Sequence, residues 1–313
     1  MAYVHLHGYS TYSFLEGIGS PKIIAQTAKD LWQNAIALTD MGVMYGAILH
    51  FKAGKELDIN AIIGVELGFV LDIQSAKNKE IWTMTLLSKD FEGYQNLLNL
   101  TTFAGQQGVE KFPKIDLATL KRFNTQLIAL IWGTHSRIAT MLNSGESLDK
   151  VKEILLLVRD ALGAANCYLE ITIQDEKTHP QIAKINQTLL QLSEELNISC
   201  ILTNHYFYPK KEDKPTQELA MAIKDNLRLY DPNHRKYDTL NHIMSEEEIR
   251  SIASKNGYST EQIDMRCENT VKIADQCHTK IAMGQMLFPK YEGEEEVVAL
   301  YEKYKDELVE ETV

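Results

Sequence analysis

Histidines and carboxylates recur at the ends of apolar runs in this chain, and they are the residues most able to do chemistry. His5 and His7 stand two apart, so an extended backbone turns both to one face. Glu16 follows in Leu-Glu-Gly. Thr39-Asp40 closes a second run, and Glu66 lies inside AIIGVELGFV. Glu170 sits in a later run, and Thr203-Asn204-His205 closes the last. Imidazole and carboxylate suit Zn, Mn or Fe, so their convergence on one rim would make a metal site. Each residue also has a plainer explanation. An H-x-H pair arises by chance, and Asp40 before Met41-Gly42 serves equally well as a turn brace. Glu66 resists that treatment, because a carboxylate in so apolar a run needs a partner once buried. Other chemistries are missing. There is no G-x-x-x-x-G-K-[ST] phosphate loop, no G-x-S-x-G elbow, and no close Asp pair to hold two Mg ions.

The elements that must position these residues alternate. Runs rich in Val, Ile, Leu and Thr span 3–7, 35–40, 61–70, 81–88, 126–131, 167–172 and 199–204. Most are continuous rather than alternating, as in strands buried on both faces. Helical patterns lie between them. Ser20-Pro21 opens one, 90–104 forms another, and two more carry apolar stripes over 148–162 and 182–196. This alternation predicts an α/β fold with a parallel sheet and outer helices. A barrel fits better than an open sheet, because no G-x-G-x-x-G turn follows the first run. Beyond about residue 215 the pattern turns helical. Ser245-x-x-Glu248 and Ser259-x-x-Gln262 are capping boxes, and Gly257 is a stop signal. MGQMLFPKY then forms an extended stretch broken by Pro289, and the tail from 292 to 313 holds nine acids and two lysines. The reading is a barrel domain over 1–270, including the helices after 215, and a join with an acidic helical tail over 271–313.

The chain of 313 residues is 44% hydrophobic and 24% charged, an ordinary globular balance. Its net charge of -11 argues against a protein that grips DNA with its whole surface. Cys167, Cys200, Cys267 and Cys277 form no C-x-x-C pair. The start MAYVHLHGYS lacks the features of a secretory leader, and no apolar run reaches the roughly 18 residues of a membrane span. These features predict a cytoplasmic protein with no membrane partner.

Several segments resemble, in order, the motifs of the polymerase-and-histidinol-phosphatase (PHP) domain found at the N-terminus of bacterial DNA polymerase III alpha subunits. HLHGYSTYSFLEG resembles its opening motif, IALTDMGVMYGA its second and AIIGVELGF its third. LLSKDFEGYQNLLNL resembles its strand-to-helix passage and LTNHYFY its last barrel motif. SEEEI, CENTVKIADQC and MGQMLFPKY resemble the join to the polymerase region. The resemblance implies a distorted seven-stranded (β/α)7 barrel followed by a mainly helical extension. It also implies either a metal cluster that removes nucleotides from a 3′ end, or a decayed site on a domain kept as scaffold.

The ligand positions favour decay. Tyr9 replaces the third histidine of H-x-H-x-H, and Glu16 replaces an aspartate. Met41 follows Asp40 where a histidine belongs. Thr83 and Gly133 fall at two further ligand positions, and His205 with Phe207 stands for a closing D-x-H. What remains is His7, Glu16, Asp40, Glu66 and His205. Tyr, Met, Thr, Gly and Phe are poor ligands for divalent ions, so at most one weakly bound Zn, Mn or Mg is expected. The carboxylates are expected to be compensated by backbone, by Tyr9, Thr83 or Asn204, or by a nearby Lys or Arg. The resemblance implies a structural and interaction domain of a replicative DNA polymerase subunit, with the polymerase chemistry elsewhere in the same chain. Its implied partners are the downstream polymerase domains, a proofreading exonuclease subunit, other replisome subunits, and DNA through the parent protein. The alternatives are a metal-dependent phosphoesterase or 3′–5′ exonuclease with a reduced site and, third, a stand-alone phosphatase, against which the join over 265–291 speaks.

Overall fold

A computed structural model describes residues 3–74, 81–107, 112–132, 140–141, 147–235, 237–284, 288 and 293–310. The chain divides into two compact units, Met1–Lys280 and Ile281–Val313.

In the first unit strands and helices alternate. They are α1 (Pro21–Asp30), β1 (Ala35–Leu38), α2 (Ala47–Leu57), β2 (Asn60–Val70), β3 (Trp82–Ser88), α3 (Phe91–Gln106), β4 (Lys114–Asp116), α4 (Leu117–Arg122) and β5 (Leu127–Trp132). Then follow α5 (Asp149–Leu162), β6 (Cys167–Thr172), α6 (Pro180–Leu196), β7 (Ser199–Thr203), α7 (Lys214–Lys224), α8 (Glu246–Lys255) and α9 (Thr260–Ala274). Local chemistry sets several boundaries. Ser20 caps α1 from the N-cap with Pro21 behind it, and Asp90 accepts from Gly93 N at the start of α3. Both expected capping boxes form, Ser245 with Glu248 on α8 and Ser259 with Gln262 on α9.

The sheet has seven strands, in the order β1-β2-β3-β5-β6-β7, with β4 pairing β2. The sequence-based expectation of a parallel sheet fails at one strand: β3 runs antiparallel to both β2 and β5. The reason is local. Only residues 71–81 separate β2 from β3, and a parallel return would need a crossover of a dozen residues or more. The first apolar run, Tyr3–His7, is not a regular strand, and the seventh strand is the three-residue β4.

The N-terminal segment has a different task. It bridges Ile36 of β1 through His5 and Tyr206, just past β7, through Gly8. Ala37 N donates to His5 O at 2.8 Å, and Tyr9 N donates to Tyr206 O at 2.9 Å. The segment thereby joins the two edges of the sheet and turns it into a closed, distorted barrel.

Parity along the strands sorts the core. Ala35, Ala37, Ile62, Leu87, Ile128, Leu130 and Ile201 pack inward with Val4 and Leu6, and Ile273, Ala274 and Cys277 plug that interior. Ile36 and Leu38 point the other way, onto Ile24, Ala25 and Ala28 of α1 and Ala53 of α2. A third cluster of Tyr9, Phe207 and Tyr208, with Ile18, Met41 and Tyr237, lies at the strand ends. The helical extension is tied to the barrel by polar contacts. Val4 N donates to Thr270 Oγ1 at 2.9 Å, and His278 N donates to Lys89 O at 2.7 Å. The four cysteines are buried and free. In the second unit α10 (Glu294–Glu310) exposes Val297, Val298, Leu300, Tyr301 and Tyr304. Among the described residues no helix is long and apolar enough to cross a membrane.

Candidate functional site: a rim of paired carboxylates

The end of the N-terminal segment carries His7 into the barrel rim, where it is 1% exposed. Both ring nitrogens are engaged. Nε2 donates to Glu66 Oε2 of β2 at 2.8 Å, and Nδ1 donates to Glu170 Oε2 of β6 at 3.0 Å. Thr85 Oγ1 of β3 lies 3.1 Å from Nε2, and the register sets Thr85 directly opposite Glu66. Tyr9 donates its hydroxyl to Glu66 Oε2 at 2.7 Å. The His205 ring stacks on His7 with centroids 3.7 Å apart, and the rings of Tyr9 and Phe207 meet His205 edge-on at 4.5 Å. His205 adopts a left-handed φ of 44°, which a non-glycine residue rarely tolerates, and Asn241 Nδ2 holds its carbonyl at 2.9 Å.

A histidine between two carboxylates is a cation. Burial by itself would lower its pKa, but Glu170 and Glu66 outweigh burial and raise it to about 9. His5 shows the contrast. It points away from this cluster, bonds Met244 O at 2.9 Å, and is lowered by burial to about 4.

The other two proposed remnants lie apart from His7. Asp40 follows β1 and accepts from Ser10 N at 2.7 Å, Ser10 Oγ at 2.8 Å and Ser13 Oγ at 2.7 Å. Ser13 Oγ in turn accepts from Met41 N, so Asp40 braces the turn. Burial raises its pKa, and the Ser10 and Ser13 hydrogen bonds oppose the rise. Glu16 follows Leu15, itself at φ 59°, and accepts from Lys224 Nζ at 2.8 Å and Arg235 Nη2 at 2.9 Å.

The expected donors are partly replaced. Tyr9 serves as anticipated, but the hydroxyl at His7 belongs to Thr85 rather than Thr83. Thr83 pairs with Gly68, and its buried hydroxyl has no hydrogen-bond partner among the described residues. Asn204 Nδ2 donates to His242 O instead of a site carboxylate. Gly133 lies outside the described residues. Glu170 was visible as a strand-end carboxylate, yet no motif marked it as the second partner of His7. Nothing in the sequence marked Lys224 or Arg235, whose meeting with Glu16 spans about two hundred residues of chain.

These residues do not fit a metal cluster. Ligand atoms of His7, Glu66 and His205 come within 4.8 Å of one another, and no other such group occurs among the described residues. Neighbouring ligand atoms around a tetrahedral ion with bonds near 2.0 Å stand about 3.3 Å apart. His7 and Glu66 are closer than that, at 2.8 Å, in a direct hydrogen bond that leaves no room for an ion between them. The rings of Tyr9 and Phe207 close the remaining side.

The chain is a distorted α/β barrel whose strand ends gather histidines and carboxylates. The family profile of the PHP domain matches residues 5–174, and the chain belongs to that family. Among curated proteins it is similar to DNA polymerase III subunit alpha of Treponema pallidum, at 29% identity over 93% of this chain and 24% of the relative. The same subunit of Deinococcus radiodurans is 30% identical over 90% of this chain and 22% of the relative. The Thermus aquaticus subunit is 26% identical over 99% and 27%. The chain thus spans about a quarter of the length of these relatives. Among solved structures, an amidohydrolase from Chromobacterium violaceum aligns at TM-score 0.43 and 12% identity, over 66% of this chain and 88% of that one. That likeness is too loose to bear on function.

Proposed function

We propose that this chain is the N-terminal PHP region of a bacterial DNA polymerase III alpha subunit, serving as scaffold and interaction domain rather than as a nuclease. On this reading it acts in the cytoplasm. The template-directed chemistry belongs to downstream domains of the same chain. The partners are those domains, a proofreading exonuclease subunit and other replisome subunits, with DNA reached through the parent protein. One observation carries the scaffold reading: both nitrogens of His7 are spent on Glu66 and Glu170. A ring in that state has no lone pair for an ion and cannot act as a base. The cluster thereby loses its central group for holding an ion or activating water in phosphodiester hydrolysis.

The second reading, a phosphoesterase or 3′–5′ exonuclease with a reduced site, rests on the proximity of His7, Glu66 and His205. The two are separated by incubating the purified chain with a 3′-mismatched primer in Zn or Mn. No shortening is expected. Cleavage abolished by Glu66→Ala would establish the exonuclease reading instead.

A further inference from the structure

Four carboxylates lie buried at the rim: Glu16, Asp40, Glu66 and Glu170 are 6%, 2%, 2% and 0% exposed. Buried carboxylates are costly unless each meets a positive charge or a full set of donors. A metal would be one solution, and the chain supplies another. Lys224, the last residue of α7, and Arg235 both reach Glu16 Oε1, at 2.8 and 2.9 Å. Arg235 also clasps Asp225, through Nε at 2.6 Å and Nη2 at 3.0 Å. The same α7 sends Gln217 Nε2 to the Glu16 carbonyl, at 3.1 Å. His7 stands between Glu66 and Glu170, and Asp40 is satisfied by Ser10 and Ser13.

We propose that Lys224 and Arg235 are built-in counter-ions of Glu16 that stand in place of a divalent metal at this end of the rim. Glu16 is balanced by the chain's own cations, and the Lys224–Glu16–Arg235 bridge fastens α7 and the following loop to the first loop of the barrel. Glu16 is then a positioning residue, not a ligand. Lys224 and Arg235, being spent on Glu16 and Asp225, are not a seat for a phosphate. The inference rests on the scaffold reading but can fail separately from it.

The test uses the full chain, its metal content by elemental analysis, and its melting temperature with chelator, Zn or Mn. The wild type should hold no stoichiometric ion, and its melting temperature should not respond to either treatment. Replacing both cations (Lys224→Ala with Arg235→Ala) strands Glu16 and should lower the melting temperature by roughly 5 °C. Adding Glu16→Gln should recover most of that loss, and Mn should raise the melting temperature of the double variant only. An unchanged melting temperature in the double variant overturns the proposal. So does stoichiometric ion uptake that stabilises the wild type. Uptake without 3′ cleavage overturns this inference alone, whereas cleavage overturns the scaffold reading.

Discussion

His7 and His5 are two residues apart and titrate in opposite directions. His7 gains two anions on folding and is raised to about 9, while burial lowers His5, and likewise His50, to about 4. The ordinary value is near 6.5. Stability from His7 is therefore fully present below about pH 6.5 and is lost as pH rises through 9. The two buried neutral histidines act the other way: their stability is present above about pH 6.5 and is lost as pH falls towards 4. Thermal denaturation across pH 4–10 should give a maximum near pH 6.5–7. The alkaline limb should flatten in His7→Gln, and its persistence in that variant would remove His7 as the cause. The sequence revealed the residue types but not this division. H-x-H places both histidines on one face only if the backbone is a regular strand, and here the segment is paired by isolated bridges.

The elements were legible where hydrophobic pattern or cap chemistry is strong. Six of the seven expected apolar runs became strands of the sheet, and both capping boxes formed. What escaped were features set by pairing. β4 is too short for periodicity to register, and strand direction at β3 depends on the connection rather than on the strand's own residues. The closure of the barrel was hidden in a single glycine. A Cβ on Gly8 would fall 2.2 Å from the Tyr206 ring, so only glycine lets the N-terminal segment lie against the chain after β7. Tyr206 cannot swing away, because it is fully buried and donates its hydroxyl to Ala37 O of β1. Gly8→Ala should therefore destabilise by about 2–3 kcal/mol, the upper part of the range for overpacked sites. Chemical denaturation measures it. A loss under about 0.5 kcal/mol, as at an ordinary surface site, would show that the closure is not tight.

At the scale of the molecule, the net charge of -11 meets a relationship to proteins named as polymerase subunits. Several of the described cations are held by carboxylates. Lys22 meets Glu56, Lys152 meets Glu195, Arg250 meets Glu246 and Asp264, and Lys224 and Arg235 meet Glu16. Affinity for duplex or single strands comes mainly from cations that displace counter-ions from phosphates, and cations held by carboxylates contribute little to that. Net negative charge adds a repulsion that salt screens beyond about 8 Å at physiological ionic strength. The chain alone should therefore bind primer-template DNA only weakly, in roughly the micromolar range or above. Fluorescence anisotropy with a labelled primer-template decides the matter. Affinity should stay weak as salt is lowered from about 200 to 50 mM, where a basic site making about six phosphate contacts would tighten about a thousandfold. Nanomolar binding with that steep salt dependence would reveal a local basic surface and return DNA to this domain.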